Sequence, residues 1–324
     1  MLLEQLRADV SSVRPRVLFT DGEDDRVLAA VAELAATGAI TPIVIGEPPA
    51  VRARGRALGV ALDGVELVGE ERLVPFAGEV ERIAAHRGIE PHVAERMLRR
   101  PMYAAIERLA SGSADAVVAG AGSHTDAVLL ACALALDLAP GRQAPSSAFV
   151  LDLEPVPLVF ADCAVTPSPS AEQLAEIAID AAGAAASLLQ VTPRVAMLSF
   201  STHGSAHHPD VERVARATAL VRARRPELAI DGELQADAAL DARVAGLKQA
   251  GADAVAGRAN VLVFPDLDAG NIGYKLVRTL VPARAYGVFV LGYPRPVVKL
   301  SRGSTVDEIV GTALLARRLL STTA

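Results

Sequence analysis

Aromatic residues and cysteines are scarce in this chain. Of its 324 residues, aromatic side chains make up 3%, Trp is absent, and only two residues are cysteine. Two cysteines are too few for the disulfide framework of a small secreted protein. We expect Cys132 and Cys163 to be buried, inert thiols, because each lies among apolar or small residues. With 51% apolar residues, the core must consist mainly of Ala, Val, Leu and Ile, which suits helices packed on a parallel sheet.

The chain also lacks an excess of basic residues and a long apolar segment. Its net charge of −6 argues against a nucleic-acid partner, which would require a basic face. The longest apolar run, Ala127–Leu136, is shorter than the roughly 20 residues that span a bilayer. The N-terminus does not have the pattern of a signal peptide. We therefore expect a soluble, cytoplasmic protein without a membrane partner.

Short Val, Leu and Ile runs alternate with longer stretches of helical period, as in βαβ units. The predicted strands are Arg16–Thr20, Pro42–Ile45, Val65–Val68, Ala116–Val118, Arg194–Phe200, Asn260–Phe264 and Tyr286–Leu291. The predicted helices are Asp24–Thr37, Val51–Leu58, Arg72–Arg87, Pro91–Arg99, Ala171–Leu189, Asp210–Arg224, Ala238–Gln249 and Asp307–Leu320.

A Pro, Gly and Ser-rich stretch at Ala139–Ser147 reads as a domain junction. The chain is longer than most single domains, and two closely spaced apolar runs, Ala148–Leu153 and Pro157–Ala161, follow the junction. Their spacing predicts a hairpin, so we expect a mixed sheet in this part of the chain.

The sharpest candidate site is the turn at Ser301-Arg302-Gly303-Ser304, just before the last helix. Backbone N–H groups at a helix start favour anions, and the guanidinium of Arg302 can hold a phosphate through two hydrogen bonds. Ser301 supplies a neutral donor that could polarise a carbonyl oxygen. The same segment has a purely structural interpretation, because Thr305 and Glu308 have the spacing of a capping box.

Two further loops follow predicted strands, where ligands sit in open α/β sheets. The Ser199–Pro209 loop contains Ser201, Thr202 and three histidines, and the Pro265–Lys275 loop contains two acids, glycines and an amide. The histidines raise a zinc hypothesis, but no HExxH pattern, Cys pair or nearby carboxylate completes a metal site, so we expect none. Walker, GxGxxG and GxSxG motifs are also missing, which argues against nucleotide hydrolysis, dinucleotide binding and a Ser hydrolase.

These segments, in this order, resemble the phosphate acetyltransferase (phosphotransacetylase) and phosphate butyryltransferase family over nearly the whole chain. The resemblance is carried by Arg16–Leu28, Asp115–Ala121, Phe160–Ala178, Ser199–Ser205, Asp231–Ala238, Phe264–Lys275 and Leu300–Gly303.

The resemblance implies two α/β domains with a cleft between them, as in isocitrate and isopropylmalate dehydrogenases. The expected domains are residues 1–142 with 292–324, and residues 143–291. A homodimer is also implied, with no permanently bound cofactor.

The implied reaction moves a short acyl group, most often acetyl, between coenzyme A and phosphate, by attack of the coenzyme A thiolate on acyl phosphate. The resemblance assigns catalysis to Ser301, Arg302 and Glu308. We expect substrate to bind at Gly303, Ser304, Ser201, Thr202, Asn271, Tyr274 and Lys275.

Four positions depart from the family pattern. Glu308 stands where the family has aspartate, and Leu130-Ala131 stands where it has Leu-Arg-Pro. Ala84 stands where the family has an arginine, and Val298-Lys299 replaces Asn-Asp. Arg82, Arg87, Arg295 and Lys299 are the nearby cations. Two alternatives therefore stay open: a paralogue that binds coenzyme A or acyl phosphate without turnover, and a nicotinamide-dependent dehydrogenase on the same fold.

Overall fold

The alternating apolar runs form eleven β-strands and thirteen α-helices within residues 2–9, 14–75, 77–248 and 254–320, which the computed structural model describes. The chain divides into two units, residues 1–137 with 293–324, and residues 138–292. The chain thus passes from one unit to the other at 137/138 and 292/293, compared with the expected 142/143 and 291/292.

The strands of the first unit are β1 (Arg16–Phe19), β2 (Thr41–Ile45), β3 (Glu66–Val68), β4 (Ala116–Ala119) and β11 (Val297–Lys299). These five strands pair with one another in parallel, in the order β3-β2-β1-β4-β11. Since parallel strands point the same way, the loops after β1, β2, β4 and β11 lie at one edge of this sheet.

The helices of the first unit are α1 (Leu2–Ala8), α2 (Asp25–Thr37), α3 (Pro48–Leu58), α4 (Ala77–Arg87), α5 (Pro91–Leu98), α6 (Pro101–Ala110), α7 (Thr125–Ala135) and α13 (Val306–Leu320). The last helix packs against α1 and α2, and its middle, from Ile309 to Ala316, is buried. The C-terminal helix therefore belongs to the first unit.

The strands of the second unit are β5 (Ser146–Asp152), β6 (Leu158–Ala161), β7 (Arg194–Leu198), β8 (Ala229–Leu234), β9 (Val261–Val263) and β10 (Arg284–Leu291). Their order is β10-β5-β6-β9-β7-β8. The pairs β10–β5 and β5–β6 are antiparallel, and the others are parallel. The predicted hairpin and mixed sheet are thus confirmed.

The helices of the second unit are α8 (Ala171–Leu189), α9 (Pro209–Arg224), α10 (Ala236–Leu240), α11 (Ala242–Leu247) and α12 (Leu267–Leu280). Helix α8 begins at a capping box in which Ser170 and Gln173 satisfy each other's backbone N–H groups. Its small apolar residues are buried against the sheet, which is how an Ala-rich core can be closely packed.

Two helix predictions and one loop prediction were wrong. The stretch Arg72–Arg87 is a short 3₁₀ helix (Glu70–Leu73) followed by α4, because Pro75 interrupts it. The predicted helix Ala238–Gln249 is two short helices that meet at Asp241, whose carboxylate caps the second, while Gln249 lies outside the described residues. The predicted loop Pro265–Lys275 is mostly helix α12, capped by Asp266.

Candidate functional site

A cavity of about 410 Å³ opens at the carboxyl edge of the first unit's sheet. Its lining comes from the ends of β1, β2 and β4 and from the start of α6. It comprises Thr20, Asp21, Gly22, Glu23, Asp24, Ile45, Gly46, Glu47, Pro101 and Gly122. Four of these residues carry carboxyl groups, which would repel a phosphate. The lining therefore argues against phosphate binding inside this cavity, although the cavity lies at the expected edge of the sheet.

Asp21 connects the ends of two neighbouring strands in this cavity. Its carboxylate accepts hydrogen bonds from the backbone N–H groups of Gly120 at 2.9 Å and Gly122 at 3.2 Å, and from the hydroxyl of Thr20 at 2.7 Å. Charge-assisted bonds of this kind are among the stronger hydrogen bonds in proteins. Asp21 therefore fixes the loop after β4 relative to the loop after β1.

The Ser301–Ser304 turn leaves β11 at the same edge. Leu300 N–H donates to the carbonyl of Ala119 at 2.8 Å, and Ser304 N–H closes the turn on the carbonyl of Ser301 at 3.0 Å. Gly303 N–H lies 3.4 Å from Ser301 Oγ, which accepts. Within the described part of the chain the Ser301 hydroxyl has no acceptor for its own hydrogen, and the exposed guanidinium of Arg302 has no ion-pair partner. Both groups can therefore bind a ligand.

Glu308 and Thr305 form the capping box that their spacing predicts. Thr305 N–H donates to Glu308 Oε2 at 2.9 Å, and Glu308 N–H donates to Thr305 Oγ1 at 3.2 Å. Glu308 is 3% exposed. One oxygen of the expected catalytic carboxylate is thus engaged at the start of α13.

Asp24 and Arg26 form a pair that was not predicted from the sequence. Asp24 caps α2 and accepts two hydrogen bonds from the guanidinium of Arg26, from Nε at 3.0 Å and from NH2 at 2.6 Å. The remaining nitrogen, NH1, donates to the carbonyl oxygens of Arg302 at 2.7 Å and Ser304 at 3.0 Å. The hydrogen bond from Arg26 is the main reason that the pKa of Asp24 is lowered, and Asp24 in turn raises the pKa of Arg26.

The loop after β7 is held by its own polar side chains. Ser201 is fully buried and donates from Oγ to Glu233 Oε1 at 3.0 Å. Thr202 donates from Oγ1 to Gln235 Oε1 at 3.1 Å and accepts the Gln235 N–H at 3.1 Å. Both predicted substrate-binding hydroxyls are therefore engaged in connecting this loop to the end of β8.

Two of the three histidines of this loop, His203 and His208, have structural partners. His203 Nε2 lies 3.1 Å from the buried carboxylate of Asp231, and His208 caps α9 by accepting the N–H of Asp210 at 3.2 Å. Among the described residues, no group of three or more His, Cys, Asp or Glu side chains is arranged to hold a metal ion.

The three candidates of α12 have different surroundings. Asn271 donates from Nδ2 to the carbonyl of Cys163 at 2.9 Å. Tyr274 is buried and stacks on Phe149, with ring centroids 4.0 Å apart. Lys275 is exposed, with its ammonium 5.5 Å from the Tyr274 ring centre. Of the three, Lys275 has the charge and exposure to meet an anionic ligand.

The positions where the family has arginines are occupied by apolar side chains. Ala84 is 6% exposed on α4 and Leu130 is 57% exposed on α7. Neither side chain can bind a phosphate. The consequence for an anionic substrate depends on which neighbouring cations are available.

Two of the nearby cations are committed elsewhere. Arg87 donates to the carbonyls of Leu134 at 2.9 Å and Leu136 at 2.8 Å, which end α7. Arg295 precedes β11 beside Asp115, at the opposite edge of the sheet from the Ser301–Ser304 turn.

The other two nearby cations differ in exposure. Lys299 ends β11 at the turn, and its side chain passes over Gly120, but Lys299 is only 7% exposed. Arg82 on α4 is exposed and lacks an ion-pair partner within the described residues.

The two cysteines are buried, as the sequence predicts. Burial raises the pKa of Cys132 to about 12 and that of Cys163 well above its usual value, so neither thiol ionises near neutrality. No helix among the described residues is both long enough and apolar enough to cross a membrane.

Comparisons with known proteins agree on one family. The family model described as "Phosphate acetyl/butaryl transferase" matches residues 1–317. A phosphate acetyltransferase of Clostridium acetobutylicum is 37% identical over 323 residues, with 97% of each chain covered.

Two solved structures extend the comparison to the fold. A phosphotransacetylase from Streptococcus pyogenes superposes with a TM-score of 0.90 at 34% identity, covering 99% of this chain and 98% of that one. A putative 4-hydroxythreonine-4-phosphate dehydrogenase from Salmonella typhimurium has a TM-score of 0.55 at 13% identity, covering 95% and 100%. The second likeness shows only the fold, and it confirms the expected dehydrogenase-like α/β architecture.

Proposed function

Because the chain belongs to the phosphate acetyl/butyryl transferase family, we propose that it transfers an acetyl group between coenzyme A and phosphate, using the Ser301–Ser304 turn. The observation that carries this proposal is the turn itself. It follows a parallel strand and opens a helix; within the described residues its guanidinium has no ion-pair partner and its hydroxyl is available to donate. The guanidinium suits the phosphoryl oxygens of an acyl phosphate, and the hydroxyl suits its carbonyl oxygen.

The reaction we propose is a direct displacement. The sulfur of coenzyme A forms a bond to the acyl carbon, the bond from that carbon to the bridging oxygen breaks, and phosphate leaves with the electron pair. Arg302 holds the phosphoryl oxygens, and Ser301 donates to the carbonyl oxygen as negative charge develops on it. Positioning and charge stabilisation supply most of the rate in such a mechanism.

Glu308 is the proposed acceptor of the thiol proton. A thiol of pKa about 8.5 is mostly protonated near neutrality, and a positioned base contributes roughly 10²–10⁴-fold. Glu308 follows the turn by four residues, and its capping bond to Thr305 N–H engages Oε2. That bond also fixes the carboxylate close to the turn.

A steady-state assay of thioester formation tests the proposal. Purified protein should convert acetyl phosphate and coenzyme A to acetyl-coenzyme A and phosphate, with propionyl and butyryl phosphate run in parallel to define the acyl preference. If none of the three acyl phosphates yields a thioester, the proposed activity is excluded.

A second function is favoured by one observation, the absence of the two family arginines. With Leu130 and Ala84 at those positions and Arg87 engaged by helix carbonyls, coenzyme A would lose contacts of about 1.5–3 kcal/mol each. A protein of this kind could bind coenzyme A or acyl phosphate without turnover. Calorimetry that shows coenzyme A binding, together with no thioester formation, would support this second function.

We also propose that the protein is a homodimer that uses α12. Ile272, Leu276 and Leu280 recur every four residues on this helix and are strongly exposed, Leu280 to 77%. Such an apolar stripe is costly in water and typical of an interface. Light scattering should give a dimer for the unmodified protein and a monomer for Leu276→Lys. The control, Leu58→Lys on α3, should remain dimeric.

A further inference from the structure

The Ser301–Ser304 turn is held at its two ends by interactions that belong to regular structure. Its entry is fixed by the pairing of β11 with β4, which places Leu300 N–H on the Ala119 carbonyl. Its exit is fixed by the capping box of α13. Neither interaction involves the peptide group between Arg302 and Gly303, which directly follows the side chain of Arg302.

The side chain of Arg26 contacts the interior of the turn directly. The NH1 nitrogen of Arg26 lies 2.7 Å from the carbonyl oxygen of Arg302 and 3.0 Å from that of Ser304, across 276 and 278 residues of sequence. A carbonyl oxygen that accepts a hydrogen bond from a cation is oriented more strongly than one bound to water. The Arg302–Gly303 and Ser304–Thr305 peptide groups are thus held from outside the turn.

The guanidinium of Arg26 is itself immobilised. Asp24 binds Nε and NH2 of Arg26 in a two-pronged ion pair, and Asp24 is in turn fixed as the N-cap of α2, where it accepts from Arg26 N–H at 2.9 Å. Because the ion pair neutralises the guanidinium, Arg26 adds little net attraction for a phosphate. Its geometry suits orientation of the turn and does not suit substrate binding.

We propose that Arg26, fixed by Asp24, is a positioning residue that sets the orientation of Arg302 and Ser301 for acyl transfer. The proposal rests on the proposed function for its kinetic consequence. The contact between Arg26 and the turn stands independently of that function. A misplacement of about 1 Å at a reacting group costs on the order of 10²-fold in rate, and this sets the size of the expected effect.

Three variants test the proposal. Arg26→Ala removes both contacts to the turn, and Arg26→Lys keeps a cation that can donate to the carbonyls but cannot form the two-pronged pair with Asp24. Arg54→Ala is the matched control, because Arg54 also forms an ion pair with an acid near the start of α2, Asp25, and does not contact the turn. The readouts are steady-state kinetics and hydrogen exchange at the backbone amides of Gly303–Thr305.

We expect Arg26→Ala to lower kcat about 10²-fold, with the KM for coenzyme A within about twofold of the unmodified protein, and to speed amide exchange in the turn. The kcat of Arg26→Lys should be about tenfold or more above that of Arg26→Ala. Arg54→Ala should match the unmodified protein in both kcat and amide exchange. Equal exchange in Arg26→Ala and Arg54→Ala, or equal kcat, would overturn the proposal. If the unmodified protein has no turnover but exchange still rises only in the Arg26 variants, the positioning role is supported and the proposed function fails.

Discussion

Thr305 and Glu308 satisfy each other's backbone N–H groups at the start of α13, at 2.9 and 3.2 Å. The side chain that the resemblance assigns as catalytic base is therefore also a helix cap. A substitution can separate the two roles, because glutamine serves as well as glutamate at this position of a capping box but cannot take a proton from a thiol.

We predict that Glu308→Gln retains the stability of the protein within about 0.5 kcal/mol and lowers kcat by about 10²–10⁴-fold. Chemical denaturation and the thioester assay measure the two effects. Thr305→Ala is the control for the cap. It should cost about 1 kcal/mol of unfolding free energy and leave the carboxylate in place. Unchanged kcat in Glu308→Gln would show that the carboxylate acts only as a cap.

The predictability of this helix start has a simple physical reason. Capping boxes, β-strand alternation and two-strand hairpins depend on residues a few positions apart, and the sequence analysis found the capping box, the β5–β6 hairpin and most strands. Helix α12 was missed because its glycines were interpreted as a loop. A Cβ on Gly270 would lie 2.2 Å from the carbonyl oxygen of Asp162. Only glycine therefore fits here, because the helix packs closely against a segment that is distant in sequence.

The candidate site was less predictable than the fold. Ser301 and Arg302 could be identified from their motif, but the buried settings of Ser201 and Tyr274 depend on partners 32 and 125 residues away. The contact of Arg26 with the turn joins opposite ends of the chain. The local signal that was available is the spacing of Asp24 and Arg26, an N-cap acid followed two residues later by arginine.

Glu107 gives a prediction on the pH dependence of stability. This buried residue of α6 has its pKa raised to about 8, first by burial and then by the neighbouring carboxyl of Glu79. Its Oε1 lacks a hydrogen-bond partner in the described structure. The folded protein therefore keeps a proton that the unfolded chain loses above about pH 4.5.

Since the folded state binds more protons in this range, the contribution of Glu107 to stability falls as pH rises from about 4.5 to about 8, and it levels off above that. We expect Glu107→Gln to remove this loss, so that the variant gains about 2–4 kcal/mol relative to the unmodified protein between pH 5 and pH 9. Urea denaturation across that range measures the gain. Glu95→Gln, which alters an exposed ion pair with Arg99, should show no such trend. If the free energy of unfolding changes with pH in the same way for Glu107→Gln and the unmodified protein, Glu107 does not have the raised pKa.

Leu130→Arg tests the consequence of the missing arginines. The side chain at this position of α7 is 57% exposed, so an arginine fits without disturbing the core. If the family position binds coenzyme A in this chain as well, the variant should lower the KM for coenzyme A about tenfold. Leu130→Gln provides an uncharged control of similar polarity and should leave the KM unchanged. A KM that responds equally to both variants would show that charge at this position is irrelevant.

The most direct test of the central claim compares two arginines on either side of β11. Arg302 follows the strand in the turn, whereas Arg295 precedes it at the opposite edge of the sheet. Turnover of acetyl phosphate and coenzyme A should fall about 10²–10³-fold in Arg302→Ala and remain within about twofold in Arg295→Ala. Acetyl-coenzyme A formation by Arg302→Ala at the rate of the unmodified protein would contradict the account.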